Sequence, residues 1–223
     1  SPIPPSAALE GSQEIIPWTA IGPYASVSAL AIDPTAPATV YAGTETGLFK
    51  TTDGGEHWHR YAVHSQDPHV RALAVDPQSP RTLYAGARGA FKSTDGGETW
   101  SKAGSGLPDT FVLDLVVNPR TPNTVYAATI DSGVYKSING GADWRAVNTG
   151  LTASYVESLM IHPQTPGVLF AGTLDDGLFK TTDGGETWTR LDCGLLHVTT
   201  LAFDPLTPRT VYASSSATLR TVS

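Results

Sequence analysis

The sequence has little cysteine, little charge and no long apolar run. The single cysteine among 223 residues, Cys193, excludes an internal disulfide and a cysteine-based zinc site. Charged residues make up only 16% of the chain and the net charge is −7, which disfavours binding to the phosphate backbone of nucleic acids. No apolar stretch approaches the ~18–20 residues that cross a bilayer, so we expect no direct membrane insertion.

What the sequence does have is a repeated octapeptide. TTDGGEHW at 51–58 returns as STDGGETW at 93–100, SINGGADW at 137–144 and TTDGGETW at 181–188. Successive copies lie 42, 44 and 44 residues apart. A fixed period of this size is typical of repeat architectures, in which each repeat is one supersecondary unit.

Each copy occupies the same place in a longer unit, as residues 27–58 illustrate. An apolar strand ends in an Asp-Pro-x-x-Pro turn at 33–37, two short β-rich segments follow at 39–44 and 47–52, and Trp58 opens a fourth strand. The first three landmarks occur five times along the chain. Four-stranded units at this period are blades that bury their faces by stacking around an axis. The sequence therefore predicts an all-β fold, a five-bladed β-propeller of four-stranded antiparallel blades.

The fifth unit lacks the octapeptide and the strand that follows it. Trp18, in IPWTAIG, precedes the first unit as the other tryptophans precede theirs. We expect this segment to supply the outer strand of the last blade and to close the ring as an N-terminal velcro strand. The predicted organisation is a Pro-rich tail at 1–16 and one propeller domain at 17–223, monomeric on its own.

The octapeptide matches the Asp-box, [ST]-x-D-x-G-x-x-W, and the fuller pattern VYAGT…GLFKTTDGGETW resembles the BNR/YCF48-like propeller superfamily. Photosystem II assembly factors, sortilin-type receptors, xyloglucan-cleaving glycosidases and many bacterial extracytoplasmic proteins belong to that group. The resemblance covers nearly all of residues 17–223. It implies a propeller fold and an extracytoplasmic location, which is periplasmic, cell-surface or secreted.

We interpret the boxes as structural. Their Asx side chains can accept bonds from the backbone of their own turn, their glycines can adopt positive φ, and each tryptophan is expected to pack on the next blade. The resemblance implies that these turns lie on the face opposite the functional entrance. The box residues are Asp53, Asp95, Asn139, Asp183, Trp58, Trp100, Trp144 and Trp188. The third box departs from the pattern, with Asn139 for Asp and Asp143 for Thr.

Candidate binding residues lie at the opposite end of the strands. In propellers, ligands usually bind where the loops joining blades meet the central channel. The residue before each first strand should ring this channel mouth, and these residues differ in every repeat, which is where specific function is expected. The ring comprises Ser26, His69, Phe111, Tyr155 and His197, with Arg71, Asp114 and Glu157 further inward and Asp131 and Asp175 on neighbouring loops.

Two alternative hypotheses about the function of the channel mouth are a glycosidase and a metal site. A glycosidase needs two carboxylates roughly 5–10 Å apart, and the acidic candidates are Asp109, Asp114, Asp131, Glu157, Asp175 and Asp176. Sialidases resemble one another in a cluster of three arginines that grips the substrate carboxylate. Sialidase activity is disfavoured here because only two arginines, Arg71 and Arg88, are expected near the mouth. A metal site is the second alternative, with His64, His69 and His197 as weak candidates for zinc or copper.

The sequence-based prediction is a non-enzymatic extracytoplasmic binding or scaffold propeller that presents its channel-mouth face to a protein or glycan partner. No cofactor and no catalytic residue is predicted. A carbohydrate-active enzyme and a metal site at the mouth remain the alternatives.

Overall fold

The computed structural model describes residues 25–64, 66–204, 207, 210–215 and 219–222, and this part of the chain contains strands and no helix. No segment of it qualifies as a membrane-spanning helix.

Blade 1 contains β1 (Val27–Ile32), β2 (Val40–Thr44), β3 (Gly47–Thr51) and β4 (His59–Tyr61). Blade 2 contains β5 (Ala72–Val75), β6 (Leu83–Ala87), β7 (Gly89–Ser93) and β8 (Ser101–Lys102). Blade 3 contains β9 (Val112–Val117), β10 (Val125–Thr129), β11 (Val134–Ser137) and β12 (Arg145–Ala146). Blade 4 contains β13 (Val156–Ile161), β14 (Leu169–Thr173), β15 (Leu178–Thr181) and β16 (Thr189–Leu191). Blade 5 contains β17 (Thr200–Phe203), β18 (Val211–Ser214) and β19 (Leu219–Val222).

The five sheets are the five blades of a β-propeller, as predicted. Within each sheet, strands that are consecutive in sequence pair in antiparallel fashion. The first strands of all five blades line one central cavity of about 280 Å³, which is the channel. Because the strands alternate in direction, the box after each third strand lies at the end where the first strand finishes. The boxes and the channel mouth are therefore on opposite faces.

Small residues in the second strands allow the blades to approach closely. A Cβ added to Gly43 would lie 2.7 Å from the Val70 carbonyl oxygen, and one added to Gly86 would lie 2.8 Å from that of Val112. Real Cβ atoms do not approach backbone oxygens so closely, so glycine at these places lets the next blade's first strand pack against the sheet. The close approach therefore requires glycine in blades 1, 2 and 4, whereas blades 3 and 5 have Ala128 and Ser214 at the equivalent position.

In each of the first three blades a lysine binds a glycine carbonyl of the next box, and in blades 1 and 3 a tyrosine hydroxyl binds the same carbonyl. At the junction of blades 3 and 4, Lys136 Nζ and the Tyr126 hydroxyl both donate to the carbonyl oxygen of Gly184, over 2.8 and 3.0 Å. The same pair of donors, Lys50 and Tyr41, meets Gly96 at the junction of blades 1 and 2. We call this arrangement the latch.

The junction between blade 5 and blade 1 differs from the others. Leu30 is 66% exposed, whereas its equivalent in blade 2, Leu73, is 9% exposed. Tyr212, at the position of the latch tyrosines in blade 5, is 36% exposed, and a Cβ on Gly54 of the first box would meet no atom of the described residues within 4 Å. Blade 5 has three strands in the described part of the chain. Trp18 and the predicted velcro strand, together with the proposed tail at 1–16, lie outside the described residues.

Candidate functional site at the channel mouth

Each box is a self-contained hydrogen-bonded turn. In the fourth box Asp183 accepts bonds from the Thr181 hydroxyl (2.7 Å), the Thr187 backbone N–H (3.0 Å) and the Thr187 hydroxyl (2.6 Å). These bonds lower the pKa of Asp183, with the Thr181 bond the largest cause. Gly185 in the same turn has φ of 90°, as predicted from its glycine. The carboxylate is occupied by its own turn, so the structural interpretation of the box is favoured over a catalytic one.

The third box makes the same turn with the polar roles exchanged. Asn139 Oδ1 accepts from the Ser137 hydroxyl and the Asp143 N–H, each at 2.9 Å. Asn139 Nδ2 then donates to the carboxylate of Asp143 at 2.9 Å. The two departures from the Asp-box pattern therefore compensate each other, and the fold is unchanged.

Two of the box tryptophans, Trp144 and Trp188, bond the preceding blade rather than the next blade that was predicted, whereas Trp58 and Trp100 donate their indole N–H to a glycine carbonyl of their own box. Trp144 of blade 3 donates its indole N–H to the Ala103 carbonyl of blade 2, and Trp188 of blade 4 donates to Val147 of blade 3. The contact is thus with the preceding blade. The reason is that the segments after β8 and β12 cross to the next box, where the backbone N–H groups of Trp144 and Trp188 donate to Ser105 O and Thr149 O.

At three places on the mouth, the residue just before a first strand contacts a residue near the start of the first strand of the preceding blade. We call these three contacts the clasps, and sequence analysis missed them. The partners are 40 or 41 residues apart, close to the repeat period, which is the signal that could have revealed them. The clasps are Ser28 Oγ to His69 Nε2 at 2.9 Å, the Arg71 guanidinium over the Phe111 ring at 4.2 Å from its centroid, and Glu157 Oε2 to His197 Nε2 at 2.7 Å.

Asp114 binds the adjacent blade deeper in the channel. Its Oδ2 accepts the backbone N–H of Leu159 in blade 4 at 2.7 Å, and its Oδ1 accepts the N–H of Leu115 at 2.8 Å. Desolvation by burial outweighs these bonds and raises the pKa of Asp114 to about 6. Ser158, also on the channel wall, has the one buried side-chain oxygen without a partner in the described residues.

The remaining predicted mouth residues are spread over separate loops. Asp131 accepts bonds from the Thr110 hydroxyl (2.6 Å) and the Ser132 hydroxyl (2.8 Å), and these bonds lower its pKa. Ser26 and Asp175 are exposed. Tyr155 is half-buried, and desolvation followed by the charge of Glu157 raises its pKa.

The three candidate metal-binding histidines have separate partners. His69 and His197 belong to different clasps, and His64 Nδ1 accepts the backbone N–H of Asp67 at 3.0 Å. The one group of three possible ligands among the described residues lies on the box face and comprises Asp53, Glu56 and His57. Asp53 in this group is bonded to its own turn. His162 replaces the turn aspartate of other blades, and its Nδ1 accepts the N–H groups that Asx oxygens accept there.

Two cavities lie on the mouth side outside the channel. The larger, of about 690 Å³, is lined by His64, Gln66, Asp67, Arg88, Phe91, Lys102 and Asp109. The smaller, of about 330 Å³, is lined by residues 152–155 with Asp175 and Asp176. The larger one combines two cations with two carboxylates, whereas the smaller one is acidic. No two of these cavities share the same chemistry, in contrast to the uniform boxes.

Comparison with known families agrees with this architecture. The family model described as "Sortilin, neurotensin receptor 3" matches residues 88–218, more than half of the chain. The chain belongs to the Sortilin-Vps10 family. The match covers the second to fifth blades, from the Arg88 turn onward, so the recognised family unit includes the boxes at 93–100, 137–144 and 181–188. No curated protein matches the chain.

Solved structures share the fold at low sequence identity. An ancestral GH74 enzyme superposes with a TM-score of 0.73 at 22% identity, over 86% of this chain and 28% of that one. The extracellular domain of a putative hybrid two-component system from B. thetaiotaomicron gives 0.72 at 17% identity, over 92% and 28%. The GH74 xyloglucanase from Xanthomonas campestris gives 0.56 at 17% identity, over 87% and 44%. The Sortilin-Vps10 chain described here thus spans less than half of the length of each.

Proposed function

We propose that this chain is a non-enzymatic, extracytoplasmic binding propeller that presents its channel-mouth face to a protein or glycan partner. The observation that carries the proposal is the contrast between the two faces. The box carboxylates are occupied by their own turns, whereas the mouth side has a channel and two further cavities with different linings. Residues that vary while the scaffold repeats are the expected place for specific recognition.

The similar structures are compatible with this location and with carbohydrate as one class of partner. One is an extracellular domain of a putative hybrid two-component system from B. thetaiotaomicron, and two are GH74 enzymes. Their identity to this chain is at most 22%, so they support the fold, and the partner class is part of the proposal.

A glycosidase is less well supported, because the candidate carboxylates have other partners. Retaining and inverting enzymes need two carboxyl groups, one acid and one base or nucleophile, that face each other across the scissile bond. Asp175 alone of the six candidates shows no side-chain hydrogen bond or ion pair in the described residues. The other five are paired as follows: Asp109 with Arg88, Asp114 with Leu159 N–H, Asp131 with Thr110, Glu157 with His197, and Asp176 with Arg190.

The proposal is tested by comparing one variant on each face. We expect a mouth variant, Tyr155→Ala with Asp175→Asn, to lose binding on a glycan array and in cross-linking to extracytoplasmic proteins of the source organism. A box-face variant, Glu56→Gln with Glu98→Gln, should bind like the wild type because both glutamates are exposed on the opposite face. Loss of binding in the box-face variant alone, or release of sugars from a bound glycan, would overturn the proposal.

A further inference from the structure

The larger off-axis cavity lies where the connection between blades 1 and 2 meets the outer part of blade 2. His64 and Asp67 come from that connection, Arg88 and Lys102 from blade 2, and Asp109 from the connection that follows. We call this cavity the blade-2 groove. Its volume of about 690 Å³ lies within the range of small-molecule sites, and none of its lining residues lines the channel.

As far as the structure describes the chain, three of the four charged side chains that line the groove are in ion pairs, and the fourth, Lys102, is not. Arg88 binds Asp109 with two parallel bonds of 3.0 Å, from Nε and Nη2 to the two carboxylate oxygens. Asp67 lies 3.6 Å from the guanidinium of Arg71, which is outside the groove. In the described part of the chain Lys102 makes no hydrogen bond or ion pair. A chain with a net charge of −7 therefore has a cavity that is lined by a lysine without an ion-pair partner among the described residues.

The groove also contains hydrogen-bonding groups of both kinds. His64 Nδ1 accepts the Asp67 N–H, so a neutral imidazole carries its proton on Nε2 and donates from there. The ring is held at 5.0 Å from the ring of Phe91. Asp109 has its pKa lowered, first by the Arg88 hydrogen bond and further by the charges of Lys102 and His64, so it remains an ionised acceptor. Donors and acceptors thus surround the unpaired ammonium group.

We propose that the blade-2 groove binds a sugar acid, a hydroxylated monocarboxylate such as a hexuronate residue of an acidic glycan. One ligand carboxylate matches the one unpaired cation, Lys102, and the ring hydroxyls match the carboxylates of Asp67 and Asp109. A doubly charged phosphate ester would leave one negative charge beside these two carboxylates. An acidic peptide would satisfy Lys102 but not the acceptors. The inference rests on the proposed binding function and specifies its partner class.

Calorimetric titration of the whole chain with a galacturonate trisaccharide tests this inference. We expect one site, with affinity that falls as salt is raised because the key contact is between charges. A neutral galactose trisaccharide and a tri-glutamate peptide should each bind at least about ten-fold more weakly, which corresponds to about 1.4 kcal/mol. Equal binding of the neutral sugar, stronger binding of the peptide, or no binding of the galacturonate at millimolar concentration would overturn it.

Two charge-matched variants locate the site. Lys102→Gln should weaken galacturonate binding about ten-fold or more, whereas Arg120→Gln should not change it, because Arg120 is exposed in a turn on the box face. Both positions are exposed, so both variants should keep the wild-type melting temperature. Unchanged galacturonate affinity in Lys102→Gln would refute the proposal that the blade-2 groove is the binding site. The proposed function would still stand if the Tyr155 and Asp175 variant had lost its partner in the separate capture experiment.

Discussion

On the box face, Thr181 and Asp183 bond each other and their own turn, and the same bonds recur at Thr51 and Asp53. On the mouth face, equivalent positions make a hydroxyl–imidazole bond in one clasp and a carboxylate–imidazole pair in another. The two faces come from the same repeats. Bonds of the box are local in sequence, so every copy preserves them. Bonds of the mouth join different blades, so each depends on which neighbour is present.

The largest expected effect concerns the crossing from an outer strand to the next box. A Cβ on Gly150, whose φ is 82°, would lie 2.2 Å from the Trp188 carbonyl oxygen. Gly150→Ala should therefore reduce the unfolding free energy by at least about 3 kcal/mol in urea denaturation, through backbone strain and overlap with a rigid neighbour. Gly54→Ala is the matched control, since Gly54 has φ of 76° and no described residue lies within 4 Å of the added Cβ, and it should cost about 1 kcal/mol. Similar losses in the two variants would contradict the packing argument.

The second largest expected effect is a pH-dependent change in the unfolding free energy when Asp114 in the channel is substituted. The pKa of Asp114 is raised from 3.8 to about 6 in the folded chain, so the folded state binds more protons than the unfolded state between these values. Stability from this group is complete below pH 3.8 and falls as the pH rises through 6. Relative to the wild type, Asp114→Asn should gain roughly 2 kcal/mol of unfolding free energy between pH 4 and pH 8, whereas the loss of one of the two backbone N–H bonds, because the amide has one oxygen acceptor, costs the same at both pH values. Asp175→Asn, on an exposed loop, serves as the control. A gain that is the same at both pH values would show that desolvation of the carboxylate is not the cause.

A smaller effect is expected at the latches. The Tyr126 hydroxyl is buried and donates to Gly184 O, which Lys136 also binds, so Tyr126→Phe should cost about 1 kcal/mol. At the seam, Tyr212 is partly exposed and makes no latch bond in the described residues, so Tyr212→Phe should leave chemical denaturation unchanged. If both variants lose equal stability, the seam is as tightly latched as the other junctions.

The sequence predicts a structural feature well when the residues that form it lie close together along the chain. The turn at Asp183 and the positive φ of Gly185 depend on residues at most five positions away, and both were predicted correctly. The five blades followed from the period. The packing direction of Trp188 was predicted wrongly, because it is decided by Thr149 and Val147 in another blade.

The candidate site was less predictable for the same reason. The sequence placed His69 and His197 at the mouth but could not show that each is bonded to the preceding blade. It also gave no sign that His64, Arg88 and Lys102 line one groove, because they belong to a connection, a turn and an outer strand. Side chains that meet across blades carry no local pattern, so their chemistry becomes visible only when the ring is assembled.

The smallest expected effect tests whether the mouth face is free of structural duties outside its clasps. Ser26→Ala and Asp175→Asn, both at exposed positions, should each change the unfolding free energy by less than about 0.5 kcal/mol. Glu157→Gln weakens a half-buried clasp between blades 4 and 5, and should cost more than either. Urea denaturation of the three variants at pH 7 measures the difference. If Asp175→Asn destabilised the chain as much as Glu157→Gln, the exposed acidic loops would be part of the scaffold, and the contrast between a structural box face and a recognition face would be lost.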